Sequence, residues 1–152
     1  MKINSQVKST VLTFLLLIAS SFVFAENGEQ SKKFGDYTIY YNSFNSSVLA
    51  ANIAKQYGIT RGNTTGVVNI AVHKGNGDDK AAVEAYVSGT IKNLLSQTTK
   101  LKFKKISEGD AIYYIATFQF NNLDNLTFEI NLTPKSEKRG HNFKFNNQFY
   151  KD

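Results

Sequence analysis

Two acidic side chains in this sequence have the type and spacing to catalyse a reaction. Glu108 and Asp110 are separated only by Gly109. A carboxylate pair of this kind can act as general acid and general base, as in an envelope-directed hydrolase. Glycine beside aspartate is also ordinary turn chemistry, and a turn between two strands is the simpler interpretation. The pair is therefore an alternative catalytic site, and we assign no catalytic residue.

A second polar group brackets the one convincing helix of the chain. It combines amides, hydroxyls and one of two arginines: Asn42, Asn45, Ser46, Tyr57 and Arg61. Helix N-terminal amides attract anions, and an arginine can form paired hydrogen bonds with a carboxylate or phosphate. This group is our candidate ligand or partner site. The structural alternative is that Asn45 or Ser46 caps the helix and Arg61 braces the following loop.

A basic stretch is the third candidate, and it contains Lys100, Lys102, Lys104 and Lys105. Such a stretch can contact anionic envelope components such as acidic polysaccharide or lipid headgroups. Lysines on an exposed strand also prevent edge-to-edge association, which is the competing explanation. Phe103 is the only aromatic residue among them and should point the other way. We therefore expect no nucleic-acid partner.

The usual residues of metal and nucleophilic sites are missing from the sequence. It contains no cysteine and only two histidines, His73 and His141, which we expect to be solvated residues at strand ends. A zinc site cannot be built from this set. Neither a Gly-x-Ser-x-Gly nucleophile elbow nor a phosphate-binding glycine loop leading into a helix is present. We therefore predict no metal ligands and no cofactor.

The N-terminal segment has the pattern of a secretory signal peptide. Lys2 and Lys8 precede an apolar run from Val11 to Phe24, and small residues lead up to Ala25. The run is shorter than the roughly 20 apolar residues that a membrane-spanning helix needs. We therefore predict a signal peptide over residues 1–25, cleavage after Ala25, and a periplasmic protein without stable membrane insertion.

The remaining length suits one domain. We expect a flexible lead-in over residues 26–33 and a single domain over residues 34–152. The net charge of +6 falls to +4 when the two lysines of the leader are subtracted. That excess is ordinary for a small domain and does not indicate nucleic-acid binding.

The segment 111–120 predicts the fold, because it is apolar on both faces in its first half. Such a strand lies inside a sheet that is covered on both sides. Alternating patterns predict six further strands near residues 37–41, 67–73, 82–94, 100–106, 126–132 and 143–149, and helical spacing predicts one short helix near residues 46–57. Short turns between them favour antiparallel pairing. The prediction is an all-β antiparallel sandwich of about seven strands, immunoglobulin-like in size, with a partly open barrel as the alternative.

Several short segments of the chain resemble a bacterial family known only as domain of unknown function 4426. They are Phe34-Gly35-Asp36-Tyr37, Tyr41-Asn42, Asn45-Ser46-Ser47, Tyr57-Gly58-Ile59-Thr60-Arg61, Val68-Asn69-Ile70, Val87-Ser88-Gly89-Thr90, Asn93-Leu94, the run from Glu108 to Ala116, and Gln148-Phe149-Tyr150. Together these segments span nearly the whole mature chain. The resemblance implies a small exported protein of Gram-negative bacteria with an all-β body. It implies no activity, substrate or catalytic residue.

These observations favour a non-catalytic protein over an enzyme. We expect an exported binding or protein-interaction module that uses a strand edge or the 41–61 region to hold an unknown protein or envelope component. The hydrolase with Glu108 and Asp110 and the electrostatic binder with the lysine stretch are the alternatives.

Overall fold

The computed structural model of the protein describes residues 30–152. In this part of the chain there are ten strands: β1 (Ser31–Phe34), β2 (Tyr37–Asn45), β3 (Thr65–Lys74), β4 (Ala81–Ala82), β5 (Ala85–Lys92), β6 (Thr98–Leu101), β7 (Lys104–Glu108), β8 (Ala111–Gln119), β9 (Asp124–Pro134) and β10 (His141–Phe149). One α-helix, α1, spans Ala51–Tyr57, and 3-10 turns occupy Ser46–Val48 and Gly77–Asp79.

The strands form two antiparallel sheets. The larger sheet has the order β1-β2-β3-β8-β7, with β4 paired to the far end of β3. The smaller sheet has the order β10-β9-β5-β6. Every strand pair is antiparallel. The predicted antiparallel sandwich is therefore confirmed.

The predicted central strand is β8, which lies between β3 and β7. Tyr114, Ala116 and Phe118 on one face of β8 belong to the core between the sheets. Ile115 points to the opposite face and is also buried. The Tyr114 hydroxyl accepts a hydrogen bond of 2.7 Å from the backbone N–H of Ala85, so it links β8 to the other sheet inside the core. A strand that is apolar on both faces is covered on both faces.

Aromatic rings fill one end of the core. The Phe118 ring meets the rings of Phe128 and Phe149 edge-on, with centroids 5.3 and 5.2 Å apart. Phe128 also stacks on Phe145 at 4.6 Å. Edge-on and offset arrangements of this kind are the favoured geometries of aromatic pairs. The Phe118 contacts join β8 of the larger sheet to β9 and β10 of the smaller sheet without any disulfide.

Helix α1 lies outside the sandwich core. Its buried residues Ile53, Ala54 and Tyr57 are not members of the core cluster between the sheets. The outward-facing residues Val67 and Ile115 of the larger sheet are nevertheless buried. We infer that α1 covers this outer face. Gly58 ends the helix in the left-handed conformation with φ of 66°, a C-cap geometry that favours glycine.

The predicted helix N-cap is wrong. Helix α1 begins after Ala50, and neither Asn45 nor Ser46 donates or accepts a capping hydrogen bond. The Asn45 amide binds the C-terminal residues, and the Ser46 hydroxyl accepts a hydrogen bond from the backbone N–H of Gly62. The physical reason is that the first turn is a separate 3-10 turn, which is followed by the extended residues Leu49 and Ala50.

Three further differences explain why there are ten strands and not seven. The predicted strand 82–94 divides into β4 and β5, which lie in different sheets. The predicted strand 100–106 divides into β6 and β7 in the same way. Residues 31–33, expected to be part of a loose lead-in, pair with β2 as strand β1. Gly35, with φ of 59°, makes the tight turn between β1 and β2 possible.

Both histidines lie at strand ends as expected, but they are half-buried and not solvated. The His141 ring stacks on Phe34 with centroids 4.8 Å apart. His73 is half-buried beside Tyr40. Burial is the main cause that lowers its pKa, and the positive charge of Lys80 lowers it further. Both rings therefore serve as packing surfaces.

The predicted signal peptide, residues 1–25, lies outside the described residues. Within residues 30–152, no helix has the length and apolar character needed to cross a membrane.

Candidate functional site

The structure separates the predicted binding residues into two places. Tyr57 and Asn42 belong to the region of α1 and the outer face of the larger sheet. Asn45, Ser46 and Arg61 lie at one end of the sandwich, where β2 ends and β3 begins. They therefore do not form one site.

Tyr57 joins the two candidate groups that the sequence left apart. Its hydroxyl donates a hydrogen bond of 2.5 Å to Oε1 of Glu108, the last residue of β7. Gln56 Nε2 donates to the same oxygen at 3.1 Å. Burial, and then the Glu108 carboxylate, raise the pKa of Tyr57 well above its ordinary value. The pKa of the neighbouring Tyr113 is raised by burial and by the same carboxylate.

This contact gives Glu108 a structural partner. Its carboxylate links the end of α1 to the turn before β8 by a hydrogen bond, whereas Asp110 is exposed in that turn. The two acids therefore have different surroundings. The hypothesis that they catalyse a reaction stays a prediction of the sequence.

Asn42 lies apart from Asn45, Ser46 and Arg61, with which the predicted site grouped it. It lies directly opposite Asn69 on β3, and both side chains point to the outer face. The Oδ1 atoms of both amides are buried and accept no hydrogen bond from any group within residues 30–152. An amide pair in this position belongs to the layer beneath α1 and not to the end of the sandwich.

At the end of the sandwich, polar contacts fix the chain on both sides of the first 3-10 turn. Asn45 Nδ2 donates to the Tyr150 carbonyl at 2.8 Å and to Asp152 Oδ1 at 3.1 Å. Arg61 Nη2 donates to the Ser47 carbonyl at 2.8 Å, which is the bracing role foreseen as the structural alternative. These contacts attach the C-terminal residues to the 45–48 segment.

The same end carries an unusual concentration of exposed apolar side chains, which we call the apolar end. Among the described residues, seven large hydrophobic side chains are exposed, and five of them lie here: Val48, Leu94, Leu95, Leu123 and Tyr150. Leu94 and Leu95 are the most exposed of all, at 82% and 80%. Exposed apolar groups concentrated in one region are typical of interaction sites.

Strand register places these five residues at the same end of the sandwich. Asn45 pairs with Gly66 and Thr65 with Gln119 in the larger sheet. In the smaller sheet, Lys92 pairs with Thr127. The 120–123 segment joins the two sheets at this end, and the Lys151 N–H donates to Asn122 Oδ1 at 2.9 Å. The turn between β8 and β9 therefore contacts the C-terminal residues, and the turn between β5 and β6 lies at the same end of the sandwich.

The turn that presents Leu94 and Leu95 is held by its own hydrogen bonds. The Asn93 side chain donates to Gln97 Oε1 at 2.7 Å and accepts from the Gln97 N–H at 2.9 Å. The Ser96 N–H donates to the Asn93 carbonyl, and Ser96 has a positive φ of 64°. These local hydrogen bonds restrict the backbone of the turn. Binding through the two leucines would therefore cost little backbone conformational entropy.

The lysine stretch does not lie on one strand. Lys100 is on β6 in the smaller sheet, Lys102 is in the connection, and Lys104 and Lys105 are on β7 in the larger sheet. Lys105 forms an ion pair with Glu84, which also pairs with Lys135. These two lysines lower the pKa of Glu84 to about 2. The charge of Lys105 is therefore already matched within the protein.

Sequence reasoning missed the apolar end. The predicted strand 82–94 ended at Leu94, but β5 ends at Lys92, and both leucines stand in the following turn. The available indication was a Leu-Leu pair between Asn93 and Ser96, since an asparagine and a serine on either side favour a turn.

The family comparison matches most of the chain. The model of the family DUF4426, described as a domain of unknown function, matches residues 31–152. A crystal structure of a DUF4426 family protein from Pseudomonas aeruginosa PAO1 is 36% identical in sequence, with a TM-score of 0.71. The similarity covers 84% of this chain and 99% of that one. Among curated proteins, none matches this chain.

More distant structures share the fold. FetP of the uropathogenic Escherichia coli strain F11 is 10% identical with a TM-score of 0.59, over 82% of this chain and 94% of that one. A copper-bound variant of FetP is 12% identical with the same TM-score, over 82% and 95%. At such identities the likeness concerns the fold alone.

Proposed function

The chain belongs to the DUF4426 family of domains of unknown function, and we propose that it is an exported, periplasmic interaction module without catalytic activity. Its apolar end binds a partner protein that offers an apolar surface of its own. The observation that carries this proposal is the concentration of Val48, Leu94, Leu95, Leu123 and Tyr150 at one end of the sandwich.

The composition of the apolar end supports a protein contact. Protein interfaces have an apolar centre, often with tyrosine, surrounded by a polar rim. Three leucines, a valine and a tyrosine supply the apolar part here. The half-buried Asn45 and the exposed Arg61 lie at the same end, and their hydrogen bonds within the protein make them supports of the surface.

The charges around the apolar end favour a protein over an anionic membrane surface. The charged residues at this end include Arg61, Lys92 and Lys151 as well as Asp124 and Asp152, so both signs are present. Electrostatic binding to anionic lipid uses clusters of about four to eight lysines or arginines. A mixed rim around an apolar centre suits a protein surface better.

The periplasmic location rests on the sequence of residues 1–25, which has the charge, apolar run and small residues of a cleaved leader. FetP, a distant structural neighbour, was expressed recombinantly in the periplasm of Escherichia coli. We expect the protein in the periplasmic fraction to begin at Glu26. Retention of the full-length chain in the cytoplasm would contradict the export proposal.

The interaction is tested by photo-crosslinking in cells. A photoreactive amino acid is placed at position 123 in the wild type and in a Leu94→Ser, Leu95→Ser variant. We expect a discrete protein adduct with the wild type and its loss in the variant, because the two leucines supply the apolar centre. Position 78, an exposed site in the 3-10 turn at the opposite end, is the matched control and should give no such adduct.

Stability and membrane measurements complete the test. Because both leucines are exposed, the free energy of unfolding of the double serine variant should differ from that of the wild type by less than about 0.5 kcal/mol. An adduct that persists in the double variant would overturn the proposal. So would binding of the purified protein to phosphatidylglycerol vesicles that depends on the same two leucines, since this would identify a lipid surface as the occupant.

A further inference from the structure

The outer face of the smaller sheet carries an open cleft at the opposite end of the sandwich. Its volume is 330 Å³, and it lies where β5 begins, β9 ends and β10 begins. Ligand sites in proteins have volumes of about 300–1,000 Å³, so this cleft is large enough for a small ligand or for one short part of a polymer.

Strand register places the cleft's polar side chains on one face. Ser88 of β5 lies opposite Asn131 of β9, and Asn131 lies opposite Asn142 of β10. Side chains on paired residues point to the same side of a sheet. Leu132, the residue after Asn131 on β9, points into the core instead. The result is a row of one hydroxyl and two amides across three strands.

The polar row has free hydrogen-bonding capacity. Ser88, Asn131 and Asn142 are exposed, and within residues 30–152 their side chains make no hydrogen bond to another protein group. Each amide offers donors and an acceptor, and a hydroxyl offers both. A ligand with many hydroxyl or amide groups can therefore pair with all three without displacing an internal contact.

Tyr86 forms an aromatic side of the cleft. It is 69% exposed and lies opposite Thr133 in the same register. The Lys135 ammonium lies 5.9 Å from its ring centroid, and the same ammonium pairs with Glu84. The positive charge near the ring is thus matched by an acid.

The wall opposite Tyr86 includes the backbone of Gly140. A Cβ atom at Gly140 would lie 2.8 Å from the Thr133 hydroxyl, so the loop packs closely against β9. Among the residues that line the cleft, only Tyr86 and His141 are titratable, and the polar side chains are neutral hydroxyls and amides. The His141 ring turns toward Phe34.

We infer that this cleft binds an uncharged saccharide, such as one or two rings of a neutral or N-acetylated glycan chain. The apolar face of a sugar ring would lie on Tyr86, while its hydroxyl or acetamide groups pair with Ser88, Asn131 and Asn142. An uncharged sugar fits the neutral lining, whereas an anionic ligand would find no cation in the polar row. This inference does not depend on the apolar end, and either can fail alone.

The test uses saturation-transfer NMR on the full mature protein with three probes at millimolar concentration: tri-N-acetylchitotriose, maltotriose and trialanine. We expect transfer to the ring protons of at least one of the two saccharides. Tyr86→Ala should weaken that binding by roughly five- to tenfold, because the aromatic contact is lost. Tyr86→Phe keeps the ring and should bind within about threefold of the wild type.

Tyr150→Ala is the matched control, because Tyr150 is an exposed tyrosine at the opposite end. It should leave saccharide binding unchanged. The inference is overturned if neither saccharide binds, if Tyr86→Ala binds as well as the wild type, or if trialanine alone binds, since this last result would identify the cleft as a peptide site. Unchanged thermal unfolding of Tyr86→Ala shows that a loss of binding is local.

Discussion

The hydroxyl of Tyr57 donates a 2.5 Å hydrogen bond to Oε1 of Glu108, across 51 residues of sequence. This bond connects the last residue of α1 with the end of edge strand β7. A helix of seven residues is too short to be stable alone, so it depends on tertiary contacts of this kind. The bond therefore holds α1 against the outer face of the larger sheet.

Removing that hydrogen bond should destabilise the protein. Tyr57→Phe keeps the buried ring and deletes only the hydroxyl, and we expect it to lower the free energy of unfolding by about 1.5 kcal/mol, a typical value for a hydrogen bond to a charged group. Chemical denaturation measures the difference. Tyr86→Phe is the control, because the Tyr86 side chain is exposed, and it should change stability by less than about 0.5 kcal/mol. Equal stability of wild type and Tyr57→Phe would show that the bond does not hold the helix.

The same contact predicts a loss of stability at alkaline pH. Burial and Glu108 raise the pKa of folded Tyr57 above its ordinary value of 10.0. Above pH 10 the unfolded chain therefore loses this proton while the folded protein keeps it, and stability falls as pH rises. Below pH 10 the contribution is fully present. Burial raises the pKa of Tyr41 and Tyr113 in the same direction.

Urea unfolding between pH 9 and pH 11.5 tests this prediction. In Tyr57→Phe the free energy of unfolding should fall less steeply with pH. The difference in slope should correspond to about one proton released on unfolding. Lysine deprotonation contributes equally to wild type and variant, so it cancels in the comparison. Parallel slopes would mean that Tyr57 ionises equally in both states.

Asn45 and Arg61 should support the apolar end without contributing much to global stability. Asn45→Ala frees Tyr150 and Asp152, and Arg61→Ala frees the Ser47 carbonyl. We expect each to reduce partner crosslinking and to cost less than about 1 kcal/mol, because these bonds are exposed. Thermal unfolding and crosslinking at position 123 measure the two effects. If both variants simply unfold, these residues are structural and this part of the site hypothesis is wrong.

Gly89 should be intolerant of a side chain. It lies inside β5, and a Cβ atom there would lie 2.8 Å from the Glu129 carbonyl oxygen of β9. Backbone cannot yield as a flexible side chain does, so Gly89→Ala should lower stability by about 1–3 kcal/mol. Ser88→Ala, an exposed neighbour on the same strand, should change it by less than about 0.5 kcal/mol. A Gly89→Ala protein as stable as the Ser88→Ala protein would mean that β5 and β9 can separate at little cost.

The sequence alone determined the sandwich class, because the alternation of side chains in a strand is a local property. The run 111–120 is apolar on both faces in its first half, and β8 is covered on both faces. The end of the helix at Gly58 is also a local property, because the left-handed conformation after a helix favours glycine.

Tertiary structure alone decided which distant residues meet and where a pattern is interrupted. The stretch 100–106 was predicted as one strand, yet the chain crosses between the sheets after Leu101, because β6 pairs with β5 and β7 pairs with β8. The bond between Tyr57 and Glu108 and the gathering of five exposed hydrophobic residues at one end depend on strand order. Strand order is set by pairing between segments far apart in the chain, and periodicity within a segment carries no information about its partner.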